Sequence, residues 1–353
     1  MNNPIRGRGA QAQVANRFES IRVEMDQADA SIADQPNRPR TQFFADNSTS
    51  IVTENNSPDI PFRYSLNPYR GCEHGCSYCY ARPTHEYLGM SAGLDFETKI
   101  IVKEHAVDLL RDTLAKPSWQ AESMMLSGVT DPYQPVERKQ KITRGLLQLL
   151  ADCRHPVSII TKNAMIERDA DILARMAKDK LVHAAISITT LDPQLANVLE
   201  PRTSSPAARL RAITTLADVG VPVRVMTAPV IPGLNDHEIP KLLAAAADAG
   251  AKMAGYVMLR LPGAVEPVFT DWLSRLRPQH KDKVLAQVRE VRDGAMNSTQ
   301  FGTRMRGTGT RAASIADLFK MFANKNGLSL ESAPLRCDLF TPPSDASGQL
   351  SLF

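Results

Sequence analysis

The sequence is poor in cysteine, with five among 353 residues. A small, odd set does not build a disulfide framework, so the chain reads as one for a reducing compartment, the cytoplasm. Long apolar runs are missing as well. None approaches the roughly 18 residues that a membrane-spanning helix needs, which speaks against a membrane protein. The opening MNNPIRGRGAQAQVANRF has no apolar stretch of the kind that secretion signals carry. A large excess of one sign of charge is missing too: the net +4 permits an acidic partner such as nucleic acid without demanding one. What is present, 43% hydrophobic and 23% charged residues, is ordinary for a chain with a large core. The length suits one large α/β domain with tails, or two smaller domains.

Residues 1–60 are polar and weakly periodic, and read as an irregular arm with one short helix near Arg17–Ala28. The barrel-like core is expected over residues 61–300, and a basic loop and helix over 301–340. The stretch TPPSDASGQ opens a flexible tail, residues 341–353. Within the core, short β-rich runs occur at Phe62–Leu66, Ser123–Ser127, Val157–Thr161, His183–Ile188, Val221–Val230 and Gly255–Leu259. Helical patterns separate them. Ile166, Ala170, Leu173 and Ala177 share one helix face; Leu210, Ile213 and Ala217 form another stripe. Ser205 is placed to cap that second helix, with Pro206 at its first position and Gly220 past its end. Strands alternating with helices imply parallel βαβ units with right-handed crossovers. About six units fall short of a closed eight-fold barrel, so an open partial barrel is expected, with a doubly wound sheet as the alternative. Both place ligands at the carboxyl ends of the strands.

One of those ends carries GCEHGCSYCYAR, residues 71–82, which gathers Cys72, Cys76 and Cys79 on one loop. Gly71 and Gly75 allow sharp turns there. Thiolates favour zinc, copper(I) or iron–sulfur centres. A structural zinc site closed by His74 or His85 is one reading. A [4Fe–4S] cluster with one iron left free is the other, since three thiols leave one coordination position open. Cys153 and Cys337 stand apart and read as unpaired thiols, and His183 as a core histidine.

The Cys72-x₃-Cys76-x₂-Cys79 spacing, with Tyr78 before the last cysteine, resembles the signature of radical S-adenosylmethionine (SAM) enzymes. The resemblance implies a partial (β/α)₆ barrel, a [4Fe–4S] cluster on the three cysteines, and SAM on the open iron. It also implies an electron donor such as flavodoxin or ferredoxin. The stretches SGVTDPYQPVE, SIITKN, SITT, LEPRTSSPAAR and APVIPGLND are similar to the spore photoproduct lyase-like branch. More closely, they are similar to a bacterial subgroup of that branch whose substrate is unknown. Carried over by position, Tyr78, Thr130, Lys162, Ser187 and Arg202 would bind the cofactor, with Lys162 on the SAM carboxylate. Asp131 and Tyr133 would reach SAM or substrate. Read by themselves, Asp131 can cap a loop, Glu137 can charge a helix start, Arg202 can pair with Glu200, and Asn235 with Asp236 can cap the next helix. Spore photoproduct lyases use a cysteine near the second strand end as hydrogen donor, and MMLSGVTDPY has none. That departure puts photoproduct repair itself in doubt.

Two further stretches bear on partners. TRMRGTGTR, residues 303–311, sets three arginines among glycines and suits phosphate contacts. QLSLF, Gln349 to Phe353, is similar to the peptide by which bacterial polymerases and repair proteins bind the sliding clamp, which implies work on DNA. A zinc-bound structural or nucleic-acid-binding protein and a clamp-tethered adaptor without catalysis are the competing classes.

Overall fold

A computed structural model describes residues 5, 7–18 and 39–343. Most of the helix expected near Arg17–Ala28, and the QLSLF peptide, lie outside the described residues. The first strands are β1 (Gln42–Ala45), β2 (Val52–Glu54), β3 (Tyr64–Leu66), β4 (Tyr69–Arg70) and β5 (Lys99–Val102). The later ones are β6 (Met124–Leu126), β7 (Val157–Thr161), β8 (Val182–Ser187), β9 (Val223–Val230) and β10 (Met253–Met258).

The main sheet runs in the order β10-β9-β8-β7-β6-β3-β2, with six parallel strands and β2 antiparallel at its edge. A doubly wound sheet reverses its strand order at a switch point. Here the parallel strands follow one another in chain order, and the sheet wraps as a partial (β/α)₆ barrel. The six expected strands are all present, with ends shifted by a residue or two.

Alternation along the strands divides structure from chemistry. In β7, Val157, Ile159 and Thr161 are buried, while Ser158 and Ile160 are half-exposed; β8 and β9 repeat the pattern. The buried set packs in one core with helix residues such as Leu146, Leu173, Leu216 and Leu242. Each fully buried Val, Ile or Leu contributes about 1.5–3 kcal/mol of transfer free energy. The other set faces the lumen, where Lys162 reaches across from β7 to Ser187 of β8 and the Ala228 carbonyl of β9.

Both edges of the parallel part of the sheet are covered. β2 covers β3. On β10, the Met258 amide donates to Met305 and the Ala254 amide to Ser329, each at 2.9 Å. The arm expected to be irregular therefore does more: β2 lines the main sheet, and β1 joins β5 and β4 in a smaller sheet. The basic segment is a seam. Arg306 lies 4.3 Å from the Tyr256 ring centre and donates to its carbonyl, Arg311 pairs with Glu290, and Arg304 pairs with Asp59 of the β2–β3 loop.

Other expectations shift in detail. Ser205 does cap the helix Pro206–Asp218, accepting the Ala208 amide at 3.3 Å. Its buried stripe is Pro206, Arg209, Ala212, Ile213 and Leu216; Leu210 and Ala217 are only half-buried, because the helix rolls Arg209 inward. His183 is half-buried on the lumen face, since its parity matches Ser187. Among the described residues, no helix is long and apolar enough to cross a membrane.

Candidate active site

The cysteine loop follows β3 and β4 at the carboxyl end of the sheet. Gly75 turns it at φ +65°, and a side chain there would meet Glu97 Oε2 at 2.6 Å. Behind the loop lies a fully buried ion pair. Arg82 donates to Glu97 Oε1 at 2.5 Å and spends its other donors on the carbonyls of Cys76, Ala92 and Gly93. Glu97 in turn accepts the Gly9 and Ala10 amides at 3.1 and 2.8 Å. The approach is close: a Cβ on Gly9 would come within 2.0 Å of the Gly75 carbonyl oxygen. Residues 7–18 thus back the cysteine loop, a role nothing in their composition announces.

In front lies a second charged network. Tyr78, between Cys76 and Cys79, donates its hydroxyl to Glu200. Glu200 also takes Arg209, Lys162 Nζ at 3.0 Å and Thr189 Oγ1 at 2.6 Å. Burial opposes ionisation of Glu200, but Arg209, Lys162 and the two hydroxyls outweigh it and hold the carboxyl well below its usual range. Lys162 Nζ also donates to Ser187 Oγ at 2.8 Å and to the Ala228 carbonyl at 2.9 Å, and lies 5.5 Å from the centre of the Tyr78 ring. Three expected cofactor residues, Tyr78, Lys162 and Ser187, therefore meet in one place.

Others are placed differently. Arg202 pairs with Glu73 at 3.1 Å, not with Glu200, because the turn at its amide binds the His74 carbonyl and aims it at the cysteine loop. Asp131 meets four partners: Thr161 Oγ1 at 2.7 Å, the Lys162 amide at 2.8 Å, the Tyr133 amide at 2.9 Å and His74 Nδ1 at 3.4 Å. Burial raises its pKa, yet these contacts bring it below the usual value. It ties the end of β7 to the loop after β6 and so orients Lys162. Tyr133 is wholly buried, its hydroxyl donating to Asp169 at 3.0 Å; this points to a structural contact in place of the expected catalytic one. Thr130 is buried too, donating to the Tyr69 carbonyl at 2.9 Å. Glu137 does stand at a helix start, opening Glu137–Gln140, and is also a buried acceptor for Tyr69, the Thr143 amide and Arg168. Asn235 makes no side-chain cap; it braces the Ile231 amide and the Thr189 and Pro229 carbonyls.

The sequence profile of the radical SAM superfamily matches residues 66–246, more than half of the chain. The chain belongs to the radical SAM superfamily. A Mycobacterium tuberculosis protein described as uncharacterized is 40% identical over 226 residues, covering 64% of this chain and 66% of that protein. One from Methanocaldococcus jannaschii, also uncharacterized, is 30% identical over 176 residues, covering 50% and 63%. The chain thus spans just under two thirds of the length of the relatives it matches. Among solved structures, spore photoproduct lyase complexed with dinucleoside spore photoproduct aligns over 82% of this chain and 81% of its own. Its TM-score is 0.59 at 14% identity. A form of that lyase with bound SAM and the same dinucleoside gives 0.57 at 15%, over 82% and 80%. At such identities the likeness is one of fold.

Radical SAM proteins carry a [4Fe–4S] cluster and SAM, and the cysteine loop fits that demand. Burial and the neighbouring Asp131 carboxylate and thiols push the Cys72 thiol well up; burial and Glu200 do so for Cys76. Thiolates are costly there unless iron offsets their charge. The buried Ser77 hydroxyl of the same loop lacks a partner among the described residues, and sulfide-rich clusters supply acceptors. The superfamily match overturns the zinc alternative, and both nearby histidines already have partners. His74 is engaged with Asp131 and Asn163, and His85 Nε2 with the Lys99 carbonyl at 2.9 Å. Among the described residues, no three His, Cys, Asp or Glu converge as a single ion requires. Sequence reasoning missed Arg209 and Glu97. Arg209 had a signal: it occupies a core-facing slot of its helix, where a charge must be paired.

Proposed function

We propose that this protein is a radical SAM enzyme whose barrel mouth presents a substrate to the adenosyl end of SAM, with nucleic acid as the favoured substrate class. The carrying observation is the junction of loop and lumen: Tyr78, flanked by two ligand cysteines, shares Glu200 with Lys162. With the cluster and SAM bound, one electron would cleave SAM to methionine and a 5′-deoxyadenosyl radical, the species that would take a hydrogen atom from substrate. The chain's own residues do the rest. Cys72, Cys76 and Cys79 hold the iron. In the front network Lys162 and Arg209 face one carboxylate, Glu200, which leaves a positive charge in excess. The carboxylate of SAM balances it, with Lys162 as a compact cationic donor. Ser187 and Thr189 keep Lys162 at the lumen wall, and Asp131 fixes the backbone that carries it.

Nucleic acid is supported by the shared fold with a lyase that binds a dinucleoside and by the clamp-like QLSLF. Photoproduct repair through a thiol donor is not supported. Cys153 and Cys337 lie away from the mouth, the backbone carbonyl of the first accepting the Thr341 amide and the second beside the Ser123 backbone. A flavodoxin or ferredoxin serves as reductant in the cytoplasm, and the tail tethers the enzyme to the sliding clamp; a clamp pull-down abolished by Leu352→Ala with Phe353→Ala checks the tether.

Purification without oxygen tests the main reading. Brown protein with about four irons per chain is expected, cleaving SAM to 5′-deoxyadenosine with dithionite, and Cys76→Ala abolishes both. Colourless zinc-bound protein, or a reduced cluster that leaves SAM intact, overturns it.

A further inference from the structure

Most arginines of the described chain are paired with a carboxylate, from Arg17 with Glu86 to Arg336 with Asp338. Arg260 and Arg292, beside the barrel mouth, have no such partner among the described residues. Arg260 lies two residues beyond the end of β10, at the carboxyl edge where ligands bind. It has no ion pair among the described residues. Its Nε is buried without a partner, and Nη1 has only the Met305 sulfur at 3.7 Å. Behind it, buried Arg292 spends its amino groups on the carbonyls of Met258, Leu259, Thr303 and Arg304. Beside it, Arg304 takes Asp59. Of these three guanidinium groups, only Arg304 has a carboxylate partner among the described residues. Burial and Arg304 lower the pKa of Arg260, the sign of an uncompensated cation.

The same guanidinium groups stand against exposed aromatic rings. Arg260 lies 5.5 Å from the centre of the Tyr80 ring, and Arg304 lies 4.7 Å from that of Phe301. Tyr80 immediately follows the ligand Cys79 and is 47% exposed, although its hydroxyl is anchored to the Gly128 carbonyl. Phe301 is 55% exposed. Two large rings left exposed beside a cluster of cations mark a surface that a ligand can cover.

Resting on the radical SAM reading above, we propose that Tyr80, Arg260, Arg304 and Phe301 form a docking rim for single-stranded nucleic acid. The rings stack on unpaired bases and Arg260 takes a backbone phosphate. The pairing of each ring with a cation matches the alternation of base and phosphate along a strand. Bases stacked inside a duplex offer no free faces to such rings, and an acidic peptide offers no flat ones. Tyr80, next to a cluster ligand, then brings one base to the mouth.

The test uses the full chain with its cluster reconstituted without oxygen. Fluorescence anisotropy compares a 12-nucleotide single-stranded DNA, the same sequence as RNA, its duplex, and an acidic peptide of equal charge, across a salt series. The single strands are expected to bind tightest, and the DNA and RNA arms identify the sugar. Arg260→Gln should flatten the slope of log affinity against log salt by about 0.7, the loss of one single-strand phosphate contact. Arg260→Lys should keep the slope. Phe301→Ala should weaken binding about 5- to 100-fold at constant slope. Duplex or peptide binding as tight as single strand, or an unchanged slope in Arg260→Gln, overturns the proposal. Formation of 5′-deoxyadenosine by the unmodified protein without nucleic acid separates the two readings. Single-strand binding by a preparation that cleaves no SAM upholds the rim and refutes the enzyme; cleavage without such binding does the reverse.

Discussion

The back and the front of the cysteine loop are both built from buried ions, and they differ in balance. At the back, Arg82 meets Glu97 one to one, and the carboxylate is completed by the Gly9 and Ala10 amides. At the front, Arg209 and Lys162 share Glu200, with the lysine side chain 17% exposed towards the lumen. A balanced, sealed pair has nothing left to offer a ligand, so its work is to hold shape. An unbalanced one keeps a charge for something that arrives. The rim around Arg260 repeats the second arrangement.

The largest effect is expected from unbalancing the back. Arg82→Met strands Glu97 as a buried lone carboxylate, which costs about 3–5 kcal/mol. The urea midpoint should fall and reconstituted protein should hold little iron; unchanged stability with full iron would show that the pair does not shape the loop. At the front the same kind of change should leave the cluster in place. Lys162→Met removes a charge-assisted donor of about 1.5–3 kcal/mol, so SAM should bind roughly 10- to 100-fold more weakly. Iron per chain stays constant. Equal SAM affinity in isothermal titration would place the lysine with the structural ions after all. Gly9→Val probes the back more gently. Its side chain collides with the Gly75 carbonyl, and a forced shift of this kind costs about 1–3 kcal/mol. Bleaching of the cluster in air should quicken, as residues 7–18 lift from the loop.

The strands and the three thiols were legible because period and spacing are local properties. Lys162 and Ser187 were legible as strand ends. The back of the loop was not, since Glu97 is met by main-chain amides 87 and 88 residues away, and amides leave no mark in a sequence. The front was half legible. Arg202, near Glu200 in sequence, looked like its partner, but a turn sends it to Glu73 and Arg209 arrives from the next helix. The expected phosphate-binding run, residues 303–311, is mostly spent on sealing β10; only Arg304 reaches the rim, and Arg260, a lone arginine after an apolar strand, carried no signal.

A third buried site, neutral where the other two are charged, gives the smallest effect and a control for both. His155 accepts Trp119 Nε1–H at Nε2, 3.3 Å away, and holds the Pro156 carbonyl through Nδ1 at 3.0 Å. The first bond needs an uncharged ring. Burial pushes its pKa down to about 4, while the unfolded chain titrates near 6.5. Below pH 6.5 the unfolded state therefore binds the extra proton, and stability falls as pH drops from 6.5 towards 4. Between pH 7.5 and 5.5 the loss should be about 1.4 kcal/mol. His155→Phe should remove that slope from the urea midpoint. The iron content at pH 5.5 should be the same in His155→Phe as in the unmodified protein, because His155 touches neither the pair behind the loop nor the network before it; a different iron content would show that the three sites are not independent.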